Sequence, residues 1–133
     1  MIKNIIFDIG GVLAEPKSGH WFITTNFWNI LNKNLIDEEK LKISLKKYLY
    51  LQTQEPKTEK DEHEMFSIYY CNVLKDINYP NASLDVANKL ADDCVYNDDK
   101  FIFFDDVNLI LEEFSKKYNL YIISNGWPSS FRV

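Results

Sequence analysis

Asp8 stands directly after the largely apolar run 2–7 and directly before Ile9, Gly10 and Gly11. A carboxylate fixed at the tip of a buried strand can attack phosphorus or carbon and form a covalent intermediate. The two glycines let the backbone turn sharply and come close to a ligand, leaving the Gly10 carbonyl free to face a cation. Hard magnesium takes oxygen ligands, typically one or two carboxylates with substrate oxygens and waters, so Asp8 can both attack and coordinate. Ser124, Asn125 and Gly126 follow a second apolar run, 120–123, and offer a hydroxyl, an amide and turn N–H groups. Such a loop is a cradle for phosphate or carboxylate. Pro128, Ser129 and Ser130 suit the first turn of a further helix, whose positive end would face the same ligand.

The elements that must hold these loops are written in the hydrophobic pattern. Runs 2–7 and 120–123 have the unbroken apolar character of strands buried on both faces, as in a parallel sheet. Ligands of open α/β sheets bind at the carboxyl ends of the strands, where both loops fall. Val107, Ile110, Leu111 and Phe114 mark one face of a helix before the second strand. Asp105 or Asp106 caps its start, Lys116 and Lys117 sit at its negative end, and Asn119 is its expected left-handed stop. Residues 15 to about 100 show no alternating pattern and are predicted to be entirely helical. The first helix covers about 19–32, with Trp21, Phe22, Phe27 and Trp28 read first as core of the helical layer and second as roof of a substrate pocket. The second, capped by Asp37, turns Leu41, Leu45, Tyr48 and Leu49 inward, and 52–57 with Pro56 is a break. The third, about 59–77, buries Met65, Phe66, Tyr69, Tyr70, Val73 and Leu74. The fourth, capped by Ser83, buries Ala87, Leu90, Ala91 and Cys94. The fold class is thus α/β: core segments 1–14 and 100–133 around a helical segment 15–99.

Composition narrows the partners. The 133 residues are 46% hydrophobic, normal for a chain with a real core, which argues against disorder. A net charge of −5, from 20 acidic and 15 basic residues, leaves no electrostatic footprint for nucleic acid or an anionic membrane. A small molecule or a protein is the expected partner. The early apolar stretch Ile5-Ile6-Phe7 is too short for a signal sequence or a membrane span, which places the chain in the cytoplasm. Cys71 and Cys94 form no CxxC pair and are expected as buried free thiols. His20 and His63 are each alone in their neighbourhood and are assigned no role. Glu15 is expected as an exposed loop carboxylate, and the charged run 59–64 as a solvated helix start.

Phe-Asp8-Ile-Gly-Gly-Val-Leu resembles the first signature of the haloacid dehalogenase superfamily, and Ile-Ile-Ser124-Asn-Gly resembles its second. Their order and separation, with a helical block between, match members whose helical cap is inserted after the first core strand. The resemblance spans essentially the whole chain. It implies a partial Rossmann-like core with two parallel strands and an α-helical cap over 15–99. It also implies a magnesium-dependent phosphatase, acting on a small phosphate ester through an aspartyl-phosphate on Asp8. Ser124, Asn125 and Gly126 would hold the phosphate; Asp8 and the Gly10 carbonyl would hold Mg2+.

The chain departs from the superfamily at two places. Its phosphatases usually carry a general acid–base aspartate two positions after the nucleophile, where this chain has Gly10; some sugar-phosphate phosphatases of the superfamily share the glycine. A carbon–halogen hydrolase is the nearest variant, disfavoured because that class usually has an aromatic residue there. The superfamily's third signature, a lysine, and its fourth, an acidic pair, would follow Ser124, and the sequence stops at Val133. At roughly 30 residues per β-α unit, on the order of 90 residues would be missing. Phe103-Phe104-Asp105-Asp106 looks like the fourth signature but precedes the second and opens a helix, so it is read as a cap. The competing expectation is a truncated chain without catalysis, acting if at all as a binding module or beside a complementing chain. Two strands without neighbours would expose apolar edges and faces, which predicts self-association.

Overall fold

A computed structural model describes residues 2–132. Along the chain run β1 (Asn4–Phe7), β2 (Ala14–Pro16), α1 (Phe27–Ile30), α2 (Glu38–Lys47), α3 (Glu59–Asp76), α4 (Leu84–Val95), β3 (Phe101–Phe103), α5 (Val107–Ser115) and β4 (Asn119–Ile122). Short 3-10 turns lie at Lys33–Leu35, Leu49–Gln52 and Pro128–Phe131. The class is mixed α/β with a small parallel sheet, as the two apolar runs predict. No described helix is long and apolar enough to cross a membrane.

The parallel sheet is β1 beside β4, with Asn4 opposite Asn119 and Phe7 opposite Ile122. α5 covers one face, where the Phe7 and Phe114 rings stack with centroids 6.5 Å apart. The other face is open: Ile6 and its partner Tyr121 are 58% and 52% exposed. The runs expected to be buried on both faces are therefore covered only in part and on one face, where Ile122 is still 59% exposed, because a single helix over two strands supplies little cover.

The main core lies in the helical layer, chiefly between α3 and α4. α3 opens with a capping box in which Thr58 and Asp61 exchange side-chain and backbone bonds. Asp37 and Ser83 cap α2 and α4 as their positions predict. Phe66, Tyr69, Tyr70, Val73 and Leu74 are fully buried against Ala87, Leu90, Ala91 and Val95. Each such large apolar side chain contributes about 1.5–3 kcal/mol by leaving water. The buried phenols stay bonded: Tyr69 Oη donates to the Leu45 carbonyl at 2.8 Å, and Tyr70 Oη to the Phe22 carbonyl at 3.0 Å.

Several expectations are corrected. Residues 15–100 are not all helical, since Ala14–Pro16 pairs antiparallel with Phe101–Phe103 in a second small sheet. Glu15 is exposed but lies in that strand, opposite Ile102. The helix expected over 19–32 shrinks to Phe27–Ile30. Gly19 takes φ +76°, and the His20 ring accepts the Phe22 and Ile23 N–H groups, supplying locally the bonds a helix would otherwise give. Phe27 is buried and Phe22 and Trp28 pack on the core, but Trp21 is exposed beside Gly10. Leu49 is also exposed, displaced into a 3-10 turn.

Asp106 stands at the start of α5 without a side-chain capping bond. Asn119 is extended in β4; Tyr118 and Lys117 N–H groups close the helix on the Phe114 carbonyl instead. Asn78, after α3, is the one non-glycine residue with positive φ among those described. Residues 128–131 make a 3-10 turn rather than an α-helix. Cys94 is buried, whereas Cys71 is only half-buried.

Candidate active site

The register that sets Phe7 opposite Ile122 carries Asp8 and Ser124 to the same end of the sheet, and Ile123 N–H extends the ladder to the Phe7 carbonyl at 2.9 Å. After Asp8 the chain folds into a tight turn in which the Leu13 and Ala14 N–H groups both bond to the Ile9 carbonyl. Gly11 N–H closes it on the Ala14 carbonyl at 2.8 Å, with Gly11 at φ +73°, a region costly for any residue with a Cβ. The Gly10 carbonyl accepts no bond from a described residue. One Asp8 oxygen takes Ile9 N–H at 2.7 Å, and the other has no described partner.

Asp8, Gly10, Ser124, Asn125 and Gly126 all line one cavity of about 520 Å³. The structure therefore brings together every residue singled out as a site candidate. Among the described residues, nothing accepts the N–H groups of Ser124, Asn125 or Gly126, so three adjacent donors stand unengaged at the strand end. Gly126 is closely packed: a Cβ there would lie 3.2 Å from Ser130 Cβ, where the loop folds back, and Ser130 would have to give way slightly.

The remaining walls include Trp21 and Phe22, from the aromatic set whose second reading is a pocket roof, and residues such as Lys100 that the sequence did not single out. Trp21 lies over Gly10, and a Cβ on Gly10 would meet its ring at 3.2 Å. A side chain at position 10 would therefore have to displace the indole. His20 Nδ1 accepts Phe22 N–H at 3.1 Å and Ile23 N–H at 3.2 Å, which requires the neutral ring with its proton on Nε2. Burial, and then the charge of Lys42, lower its pKa.

Lys100 is the only lysine among the described cavity residues. Its ammonium donates to Ser129 Oγ at 2.7 Å and to the Cys94 and Val95 carbonyls at 3.0 and 3.4 Å, so all three protons are engaged. Burial lowers its pKa, and the charges around it partly offset that. Burial also pushes the Cys94 thiol up to about 12, which leaves it a poor nucleophile. Thr24, 9% exposed and lining the cavity, has a hydroxyl with no described partner.

His63 bonds Asp92 and stacks on Tyr96, away from the cavity lining. Spacing gave no signal for Lys100, which arrives by an irregular path flanking the helical layer. No protein-family model, curated protein or solved structure matches the chain, so the functional reading stands on these residues and their geometry.

Proposed function

We propose that the chain is a hydrolase of small phosphate monoesters of the haloacid dehalogenase type, with a partial Rossmann-like core under a helical cap over 15–99 and a cytoplasmic location. The observation that carries the reading is the convergence on one cavity of the Asp8 carboxylate and the unengaged Ser124–Gly126 donors, from adjacent parallel strands.

The donor set around Asp8 suits magnesium in kind: one carboxylate with a free oxygen and an unengaged Gly10 carbonyl. No described cluster of three acidic, histidine or cysteine residues accompanies them, so substrate oxygens and waters would complete the shell. Bound there, the ion supplies charge neutralisation. The chain's own residues do the rest. The free Asp8 oxygen attacks phosphorus, the bond from phosphorus to the ester oxygen breaks, and the departing alkoxide takes a proton from water. Water then attacks the aspartyl-phosphate at phosphorus, releasing inorganic phosphate and restoring the carboxylate. The Ser124 hydroxyl and the N–H groups of 124–126 receive the phosphoryl oxygens, where their fixed dipoles act without reorganising.

A second reading is favoured by the indole over Gly10 and the fully engaged Lys100: the cavity binds a phosphorylated small molecule without turning it over. Hydrolysis of p-nitrophenyl phosphate with magnesium separates the two. Turnover that falls by about three orders of magnitude or more in Asp8→Asn is the expected result. A folded wild-type chain with no turnover, but with phosphate binding, establishes the second reading.

A further inference from the structure

Glu62, in the first turns of α3, takes no part in the chemistry assigned to Asp8, yet it is 1% exposed and both of its oxygens bond one residue. Oε2 accepts Ser129 N–H at 2.8 Å, and Oε1 accepts the Ser129 hydroxyl at 2.6 Å. Ser129 is itself 1% exposed, and its Oγ accepts from Lys100 Nζ. A chain of carboxylate, hydroxyl and ammonium therefore runs from α3, through the 128–131 turn, to the segment entering β3. Charge-assisted bonds of this kind are short and strong, and a buried network in which every member is bonded rigidifies what it joins.

Ser129 lies three residues beyond Gly126, the last residue of the 124–126 loop. Two further contacts fasten the same stretch to the same helix: Trp127 lies edge-on to Phe66 with centroids 5.2 Å apart, and Arg132 Nε donates to Glu59 at 2.6 Å. The loop thus leaves the sheet at one end and is clamped to α3 at the other. The β1–β4 sheet alone would not hold it, since a two-stranded pair is marginal without further cover.

We propose that Glu62 is a positioning residue for the 124–126 loop, gripping Ser129 so that the loop keeps the geometry that receives phosphoryl oxygens, and tying occupancy of the loop to the packing of α3. The proposal rests on the phosphate-binding reading of that loop. Glu62 touches no reacting atom and acts through Ser129. Coupling of this kind is reciprocal: what loosens the grip weakens phosphate binding, and phosphate in the loop protects the start of α3.

The test uses the whole chain with magnesium, as wild type, Glu62→Gln and Ser129→Ala, and reads amide hydrogen exchange together with calorimetric binding of inorganic phosphate. Glutamine keeps the volume but its amide nitrogen cannot accept the Ser129 hydroxyl proton. In Glu62→Gln, amides 124–127 are expected to exchange about tenfold faster with α4 unchanged, and the phosphate Kd to rise about tenfold. Ser129→Ala, which retains its own N–H bond to Glu62, should move both readouts less, and it carries the test if Glu62→Gln fails to fold. A merely structural carboxylate would speed exchange through α3 and α4 together; that outcome, or loop exchange unaltered in a folded variant, overturns the tether while leaving phosphate binding intact. A wild-type chain that binds no phosphate overturns the phosphate reading, and with it the purpose assigned to the grip.

Discussion

At the scale of single residues, Gly10 and His20 show how a side chain's neighbours decide its chemistry. Gly10 sits where an acid would be useful, but the Trp21 ring leaves no room for a Cβ without moving, so the backbone carbonyl is what this position offers. His20 has Nδ1 committed to two backbone N–H groups, and protonating it would break both. Its folded pKa is lowered, whereas the unfolded ring titrates near about 6.5. The unfolded chain therefore binds the proton first as pH falls. The stabilisation from neutral His20 is present above about 6.5, is lost as pH drops toward the folded value, and levels off below it. His20→Asn retains an acceptor oxygen that does not titrate. Thermal unfolding between pH 8 and 5 should thus show the wild-type midpoint falling relative to this variant as pH drops below 7. Parallel curves would mean that His20 does not titrate differently in the folded chain.

At the scale of elements, what was legible is what short-range physics determines. Asp37 and Ser83 cap their helices with side-chain bonds that are local in sequence, and the apolar faces of α3 and α4 repeat at helical spacing, so their buried residues could be named in advance. Asp8 and Ser124 were legible because each follows an apolar strand. The failures are where a partner distant in sequence decides. Phe101–Phe103 is a strand only because Ala14–Pro16 lies beside it, and Trp21 leaves the helical core for a contact with Gly10. Ser129 and Glu62 meet across 67 positions, and no pattern in either segment announces it. The same division predicts local stability. α3 and α4 bury most of the large side chains, while β1 and β4 have one covered face. Native-state hydrogen exchange should therefore find the slowest amides in α3 and α4, with β1 and β4 opening sub-globally at lower free energy. Uniform protection across both layers would mean that the sheet is held by more than α5.

At the scale of the whole molecule, the open side of the β1–β4 sheet is the feature that solution behaviour should report. Ile6 and Tyr121 face each other across the strands with more than half their surface in water, and Ile123 beyond them is 67% exposed. Contiguous apolar surface of this kind drives association. Sedimentation velocity over a concentration series should show the chain associating as concentration rises. The double substitution Ile6→Lys with Tyr121→Glu replaces the apolar pair by a cross-strand ion pair that keeps the register, so it tests the face without opening the sheet. If the face drives association, the double variant sediments as a monomer over the range in which the wild type does not. If association persists, the contact lies off this face, and the free hydrogen-bonding edges of β1 and β4, which side-chain charge on the face leaves unpaired, are the first place to look. Amides along one strand edge would then gain exchange protection with rising concentration, which burial of the face alone would not produce.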